Sequence, residues 1–342
     1  MAETGDEPGR AGGRAPCRPA PGEPKCPEVG VSVARAGEFG LIARVTARLA
    51  TGHATLLGPG DDAAVVHAPD GRVVASTDVL VEGRHFRRDW ASAVDIGHRA
   101  AAANLADVAA MGAAPTALLV ALCMPPDLEA QWAEELADGL AAEAARVGAG
   151  VVGGDMSASP TLTIAVTALG DLGGQPPVTR SGARAGDVVA LAGRLGYAAA
   201  GYTVLSRGFR TPKILVEAYR RPEVPYGAGP SAARFGATAM IDVSDGLLAD
   251  LGHVATASRV GIDLLGNAFE VPEQMRDAAH ALGVDPLAWV LGGGDDHALV
   301  ATFPEDLPLP GGFRLIGHVV HGAGVTVDGR AYKGSGGWEH FR

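Results

Sequence analysis

Residues 100–110 carry two polar side chains, Asn104 and Asp107, in a run otherwise built from alanine, leucine and valine. A helix made from it has almost no hydrophilic surface of its own, so it must be packed on several sides, and its small side chains let neighbouring backbones come close. Asn104 and Asp107 are three residues apart and project from one face. A solvated polar stripe is the ordinary reading of such a pair. The surrounding Ala101, Ala102, Ala103, Ala106, Ala109 and Ala110 argue instead for two polar groups facing a cavity. Ser92 with Asp95 three residues on has the form of a capping box that starts this helix, and Gly112 and Pro115 stop it.

Around this helix the pattern alternates. Leu41, Ile42, Val45 and Leu49 recur at helical spacing, and a β-rich run at 73–77 ends on Asp78. A buried strand is expected at 116–123, a helix at 128–147 and a strand at 161–169. The Gly-Gly-Gln-Pro-Pro stretch at 173–177 reads as a linker. Beyond it, a strand at 187–192, a helix at 197–206, a strand into Ile241, a helix from about Asp245 to Ser258 and strands near 262–265, 298–303 and 315–319 form a second unit. The fold class is therefore α/β in two domains, 35–171 and 172–342, behind a Gly-, Pro- and Ala-rich extension of residues 1–34 that is expected to be disordered. No short-period repeat is present.

Bulk properties exclude several classes of function. Hydrophobic residues make up 47% of the 342, enough for two cores, and a net charge of -11 leaves no basic excess for nucleic acid. The longest apolar stretch, 117–124, is far short of the roughly 20 residues a membrane-spanning helix needs. Three cysteines without metal-ligand spacing point to a reduced, cytoplasmic setting.

The chemistry is expected at acids that follow glycines or β-rich runs: Asp61, Asp62, Asp78, Asp107, Asp155, Asp242, Asp245, Asp295 and Asp296. Glycine lets a backbone approach phosphate closely, and a neighbouring carboxylate supplies the hard oxygen that Mg2+ prefers. Singly, each Gly-Asp is a turn or a cap. Together they point to Mg2+ carried on a nucleotide. Asp242-Val-Ser-Asp-Gly246 is the most informative segment, because Asp242 and Ser244 share a face if extended, while Asp245 is expected to open a helix whose free N–H groups face phosphate. The GxGxxG match at 148–153 follows a predicted helix rather than a strand, so it is not a dinucleotide fingerprint. No GxxxxGK[ST], HExxH, GxSxG or kinase HRD/DFG set occurs. Of ten histidines, His85 alone stands beside a candidate site.

These motifs fall in a specific order: Gly37-Glu-Phe39, Gly58-Pro-Gly-Asp-Asp62, Ser76-Thr-Asp78, Glu82-Gly-Arg-His-Phe86, Asn104 to Gly112, Gly153-Gly-Asp155, Thr179-Arg-Ser-Gly-Ala183, Asp242 to Leu247, Gly293-Gly-Asp-Asp296 and Trp338-Glu-His-Phe341. The series resembles the thiamine-monophosphate kinases, from about residue 36 onward. That resemblance implies the two-domain aminoimidazole-ribonucleotide-synthetase-like fold, with N-terminal strands pairing across a homodimer. It implies direct transfer of the ATP γ-phosphoryl group to thiamine monophosphate, with several Mg2+ ions.

Carried over by residue, the resemblance implies metal positions at Asp61, Ser76, Thr77, Asp78, Asp107, Asp155, Asp242 and Asp245. It implies ATP contacts at Gly154, Asp155, Arg180 and Ser244, with Asp242, Asp245 and Arg180 closest to catalysis. Around the substrate it implies His85, Asp295 and Trp338, the last suited to stacking on a cationic thiazolium ring. The family usually has Glu where this chain has Asp295. Two readings stand beside this one: another ATP-using enzyme of the superfamily (cyclo-ligase, selenophosphate synthetase or maturation dehydratase), and a non-catalytic nucleotide-binding protein. A maturation dehydratase is expected to end in a reactive cysteine, where this chain has His340-Phe341-Arg342.

Overall fold

The computed structural model describes residues 31–59, 63–332 and 337. Helices α1 (Val33–Ala36) and α2 (Glu38–Thr46) come first, then a two-stranded ribbon of β1 (Thr55–Leu57) and β2 (Val65–Val66). Where the composition suggests disorder up to about residue 34, Val33 and Ala34 donate to the carbonyls of Leu128 and Pro126, and Ser32 bridges to Glu129. Backbone pairing holds this stretch despite its weak hydrophobicity.

Strand β3 (Val74–Val81), helix α3 (Ala93–Ala110), strand β4 (Ala114–Met124), helix α4 (Ala130–Ala145), and strands β5 (Gly150–Ala158) and β6 (Thr163–Asp171) follow. They form a four-stranded sheet in the order β3-β6-β4-β5, in which β4-α4-β5 is a parallel crossover and the other pairs are antiparallel. Here the structure departs from one expectation and adds one strand. Asp78 lies inside β3 rather than at its end, and the glycine-rich run at 150–158 is a strand. Gly154 explains the second: a Cβ there would lie 1.9 Å from the Val120 carbonyl oxygen, so only glycine allows β5 this close to β4.

The second sheet contains β7 (Val188–Ala192), β8 (Ala239–Asp242), β9 (Gly261–Leu264), β10 (Leu299–Phe303), β11 (Phe313–Val320) and β12 (Gly324–Val327), in the order β12-β9-β11-β7-β10-β8. Its helices are α5 (Tyr197–Ser206), α6 (Lys213–Arg220), α7 (Ala228–Arg234), α8 (Leu247–Ser258), α9 (Glu273–Leu282) and α10 (Pro286–Gly292). Helices α6, α7, α9 and α10 and strand β12 were not legible from periodicity. Helix α8 starts two residues after Asp245, because Gly246 at φ 126° is its N-cap.

Helix α3 joins the two halves. The Ser92–Asp95 capping box forms, and 14 of its 18 residues are buried. It packs on α4 and the first sheet on one side and on β8, α6 and α7 on the other. Backbones touch at glycines: a Cβ on Gly97 would lie 2.2 Å from the Leu136 carbonyl oxygen, and one on Gly229 of α7 would lie 1.9 Å from that of Ala109. Overpacking of such a contact costs about 1–3 kcal/mol. Gly97→Ala is therefore expected to lower the unfolding free energy by that amount, read as a lower denaturant midpoint at unchanged m; an unchanged midpoint contradicts the close α3–α4 packing.

Candidate active site

Because α3 lies between the sheets, the polar face read from its sequence meets residues of both. From the first sheet, Ser76 Oγ donates to Asp107 Oδ2 at 2.6 Å, and the Asp78 amide donates to Asn104 Oδ1 at 3.0 Å. Asn104 is fully buried and is oriented by donating its own Nδ2–H to the Ala100 carbonyl. Strand alternation puts Ser76 and Asp78 on this face and Thr77 on the other. Accordingly, the Thr77 hydroxyl bonds the Val166 carbonyl and receives the Thr167 hydroxyl, so it does not join the cluster.

From the second sheet comes Asp242, at the end of β8 and 3% exposed. Its Oδ2 lies 3.1 Å from His297 Nδ1. Burial, then the nearby Asp242, push the Asp107 carboxyl up to about 7, with Asp78 adding to the rise and the Ser76 hydrogen bond and His297 opposing it. Burial draws the His297 imidazole down, but Asp242, Asp295 and Asp107 outweigh it and hold the ring above its ordinary value. Asp107 and Asp242, 135 positions apart, thus face each other across the junction. His297 went unread in the sequence. Its place directly after Gly293-Gly-Asp-Asp296 was the available signal, and antiparallel pairing of Leu299 with Asp242 brings it to that carboxylate.

Ser244 and Asp245 occupy the turn between β8 and α8, packed against residues 292–297. The Ser244 carbonyl accepts the Asp295 amide, and a Cβ on Gly294 would lie 2.1 Å from that oxygen. The expected free N–H groups here are engaged: Asp250 Oδ2 accepts from both Asp245 and Gly246. Burial, followed by Asp242 and Asp245, pushes Asp250 up to about 7. Asp250 is thus a second group the motif reading missed; its position four residues after Gly246, on the first turn, was the available signal.

The remaining predicted residues are more dispersed. Asp155 is exposed on edge strand β5; the registers Asp155–Ala121, Ala121–Ala165 and Ala165–Val79 set it three strands from β3. That is about 14 Å at ordinary strand spacing. Gly154 beside it serves the β4 contact. Arg180 is exposed on the segment flanking β8, where Thr179 accepts the Met240 amide and the Arg180 carbonyl accepts Ser258 Oγ. His85 sits in the turn after β3, with Nδ1 accepting from the Val81 amide at 3.0 Å; a neutral ring then carries its proton on Nε2. Asp295 is paired with Arg99 at 2.8 Å, so its charge is already balanced. Asp296 turns away from the cluster to accept the Ala198 amide, and burial pushes it up to about 7. Asp61, Asp62 and Trp338 lie outside the described residues.

The donor set is all hard oxygen, which suits Mg2+. Among the described residues no three His, Cys, Asp or Glu side chains are grouped to hold a metal ion by themselves. That still fits a nucleotide-borne Mg2+, which takes one or two carboxylates and completes its shell with phosphate oxygens and water.

Raised carboxyl values have a thermodynamic sign. Between about pH 4 and 7 the native protein keeps protons on Asp107 and Asp250 that the unfolded chain has released, so rising pH favours unfolding. In metal-free buffer, stability is expected to fall across this window, and Asp107→Asn should reduce the slope. Equal slopes for the two proteins would show that Asp107 does not titrate there.

Residues 60–172 match the family described as AIR synthase related protein, N-terminal domain. The chain is 50% identical over 307 residues to a thiamine-monophosphate kinase of Mycobacterium tuberculosis (strain CDC 1551 / Oshkosh), spanning 89% of this chain and 92% of that protein. It is 40% identical over 324 residues to the Corynebacterium glutamicum thiamine-monophosphate kinase, spanning 91% and 96%. Among solved structures, the thiamine-monophosphate kinase from Stenotrophomonas maltophilia K279a superposes with a TM-score of 0.74 at 33% identity, covering 85% of this chain and 96% of that one. AaThiL complexed with AMPPCP and TMP gives 0.73 at 32% identity, covering 90% and 97%. With half of its residues shared across nearly the full length of a relative, the chain belongs to the thiamine-monophosphate kinase family.

Proposed function

We propose that this chain transfers the γ-phosphoryl group of ATP directly to the phosphate of thiamine monophosphate, giving thiamine diphosphate and ADP, with Mg2+ at the Asp107–Asp242 junction. The observation that carries the siting is the approach of a half-buried carboxylate on α3, Asp107, to a buried one at the end of β8, Asp242. Donor and acceptor are both anions, so the reaction needs alignment and charge neutralisation more than a protein nucleophile. Mg2+ supplies that neutralisation when bound with the nucleotide.

The chain's own residues set up the site. Ser76 fixes one oxygen of Asp107 and His297 fixes one of Asp242, leaving the other oxygens for ligands. Asn104 locks the β3 backbone at Asp78. Asp250 ties down the turn that carries Asp245. Asp78, Asp107, Asp242 and Asp245 are proposed as the metal residues at this junction, joined by Asp61. Ser76 acts here through Asp107, and Thr77 through its backbone rather than its hydroxyl. Gly154, Asp155, Arg180 and Ser244 are assigned to the nucleotide, Arg180 as the group that bridges phosphate oxygens. His85, Asp295 and Trp338 are assigned to the thiamine side.

We further propose a homodimer built on the open face of the first sheet. Val79 and Leu119 are 49% and 37% exposed there, beside Ala75, Thr77 and Ala121. The middle of this uncovered face is apolar and its charges stand at the margins, Asp155 on edge strand β5 and Asp171 at the end of β6, which suits a second copy. Among the described residues, no helix is long and apolar enough to cross a membrane. The cytoplasm, where ATP is available and Cys123 stays reduced, is the proposed location.

Purified protein with ATP, Mg2+ and thiamine monophosphate is expected to yield thiamine diphosphate and ADP in equal amounts, measured by chromatography. ADP without thiamine diphosphate would show the acceptor to be wrong. Asp242→Asn should cut turnover by about 100-fold or more without lowering the thermal midpoint, since it removes charge from a crowded cluster. Unchanged turnover would make Asp242 structural. Val79→Lys is expected to shift sedimentation from dimer to monomer; a dimer that persists would place the interface elsewhere.

A further inference from the structure

Arg99 stands eight residues before Asp107 on α3 and is 8% exposed. A buried guanidinium must be paired, and this one is held on three sides. One terminal nitrogen donates to the Tyr219 carbonyl at 2.7 Å, the other to Asp295 Oδ2 at 2.8 Å, and its flat face lies 4.5 Å from the Tyr219 ring centroid. Arg99 therefore links α3 to α6 and to the loop at 293–297.

That loop is under constraint. Asp295 and His297 both have positive φ, 65° and 51°, in the left-handed region that most side chains avoid. Their amides donate to the carbonyls of Ser244 and Val243, and His297 also reaches Asp242. Asp295 is the loop's solvent-facing member, with its side chain 52% exposed, and Arg99 is the buried group that grips it. Backbone bonds set the loop's inner side; the Arg99 pair sets its outer side.

We propose that Arg99 is a positioning residue for the phosphoryl acceptor: by clamping Asp295 it fixes the outer side of the 293–297 loop against which thiamine monophosphate binds. The proposal rests on the assignment of Asp295 to the thiamine side. The fork geometry is essential to it, because a lysine ammonium could satisfy Asp295 or the Tyr219 carbonyl but does not span both as a planar guanidinium does. The clamp also accounts for how a shorter carboxylate can serve here, since Arg99 comes up to Asp295 from beneath.

The test is a kinetic comparison of wild type, Arg99→Met, Arg99→Lys, Asp295→Asn and the Arg99→Met/Asp295→Asn double variant, with thiamine monophosphate and ATP varied separately. Arg99→Met is expected to raise KM for thiamine monophosphate about 10-fold while KM for ATP stays within about twofold, and Arg99→Lys to fall between it and wild type. The double variant should be no worse than the worse single one, since both changes break one clamp. If Arg99→Met does not fold, Arg99→Lys, which keeps the buried charge paired, carries the same comparison. An unchanged KM for thiamine monophosphate, equal changes in both KM values, or losses that multiply in the double variant would overturn the clamp. Failure of wild type to phosphorylate thiamine monophosphate would instead overturn the acceptor assignment on which the clamp rests.

Discussion

Helix α3 can lie between the two sheets only because its side chains are small. Gly97 against α4 and Ala109 against Gly229 of α7 bring backbones into contact on opposite sides. A helix with ordinary side chains would hold the halves apart and separate the groups now facing each other. From this one packing arrangement come both the buried junction and the approach of Asp107 to Asp242.

The arrangement creates an electrostatic cost that the surrounding groups only partly offset. Ser76 and His297 each hold one carboxylate, yet burial and mutual repulsion still drive Asp107 toward neutrality near pH 7. Such a cluster is poorly suited to a purely structural role, because apolar residues of similar volume would pack there without the penalty. It is well suited to a reaction between two phosphate groups, where cations carried with the nucleotide turn clustered anions from a liability into ligands. The same helix carries Arg99, so one element reaches both the proposed metal junction and the loop proposed to face the acceptor.

How much of this was legible depends on the range of the interaction. The Asn104–Asp107 pair and the Ser92–Asp95 cap were readable because they are local to one helix, and the structure places both as their spacing implies. Strand β5 was hidden because Gly150, Gly153 and Gly154 lack the β-branched signal; they are there for close backbone approach, to residue 52 at Gly150 and to β4 at Gly154. His297 and Arg99 were hidden because their partners are 55 and 196 residues away and meet only through sheet pairing and helix packing. The pattern of its neighbours puts Asp245 on a helix, whereas Gly246 at positive φ delays the helix by two residues.

If cation and nucleotide bind as proposed, they relieve repulsion at the Asp107–Asp242 junction and displace the proton held there. Calorimetric titration of the protein with Mg2+ and a non-hydrolysable ATP analogue, repeated in buffers of different ionisation enthalpy, counts the protons released on binding. With the ligand's own protonation subtracted, proton release is expected near pH 6, fading toward pH 9 and reduced in Asp107→Asn. Tight binding at pH 6 with the same proton count in wild type and Asp107→Asn would contradict it.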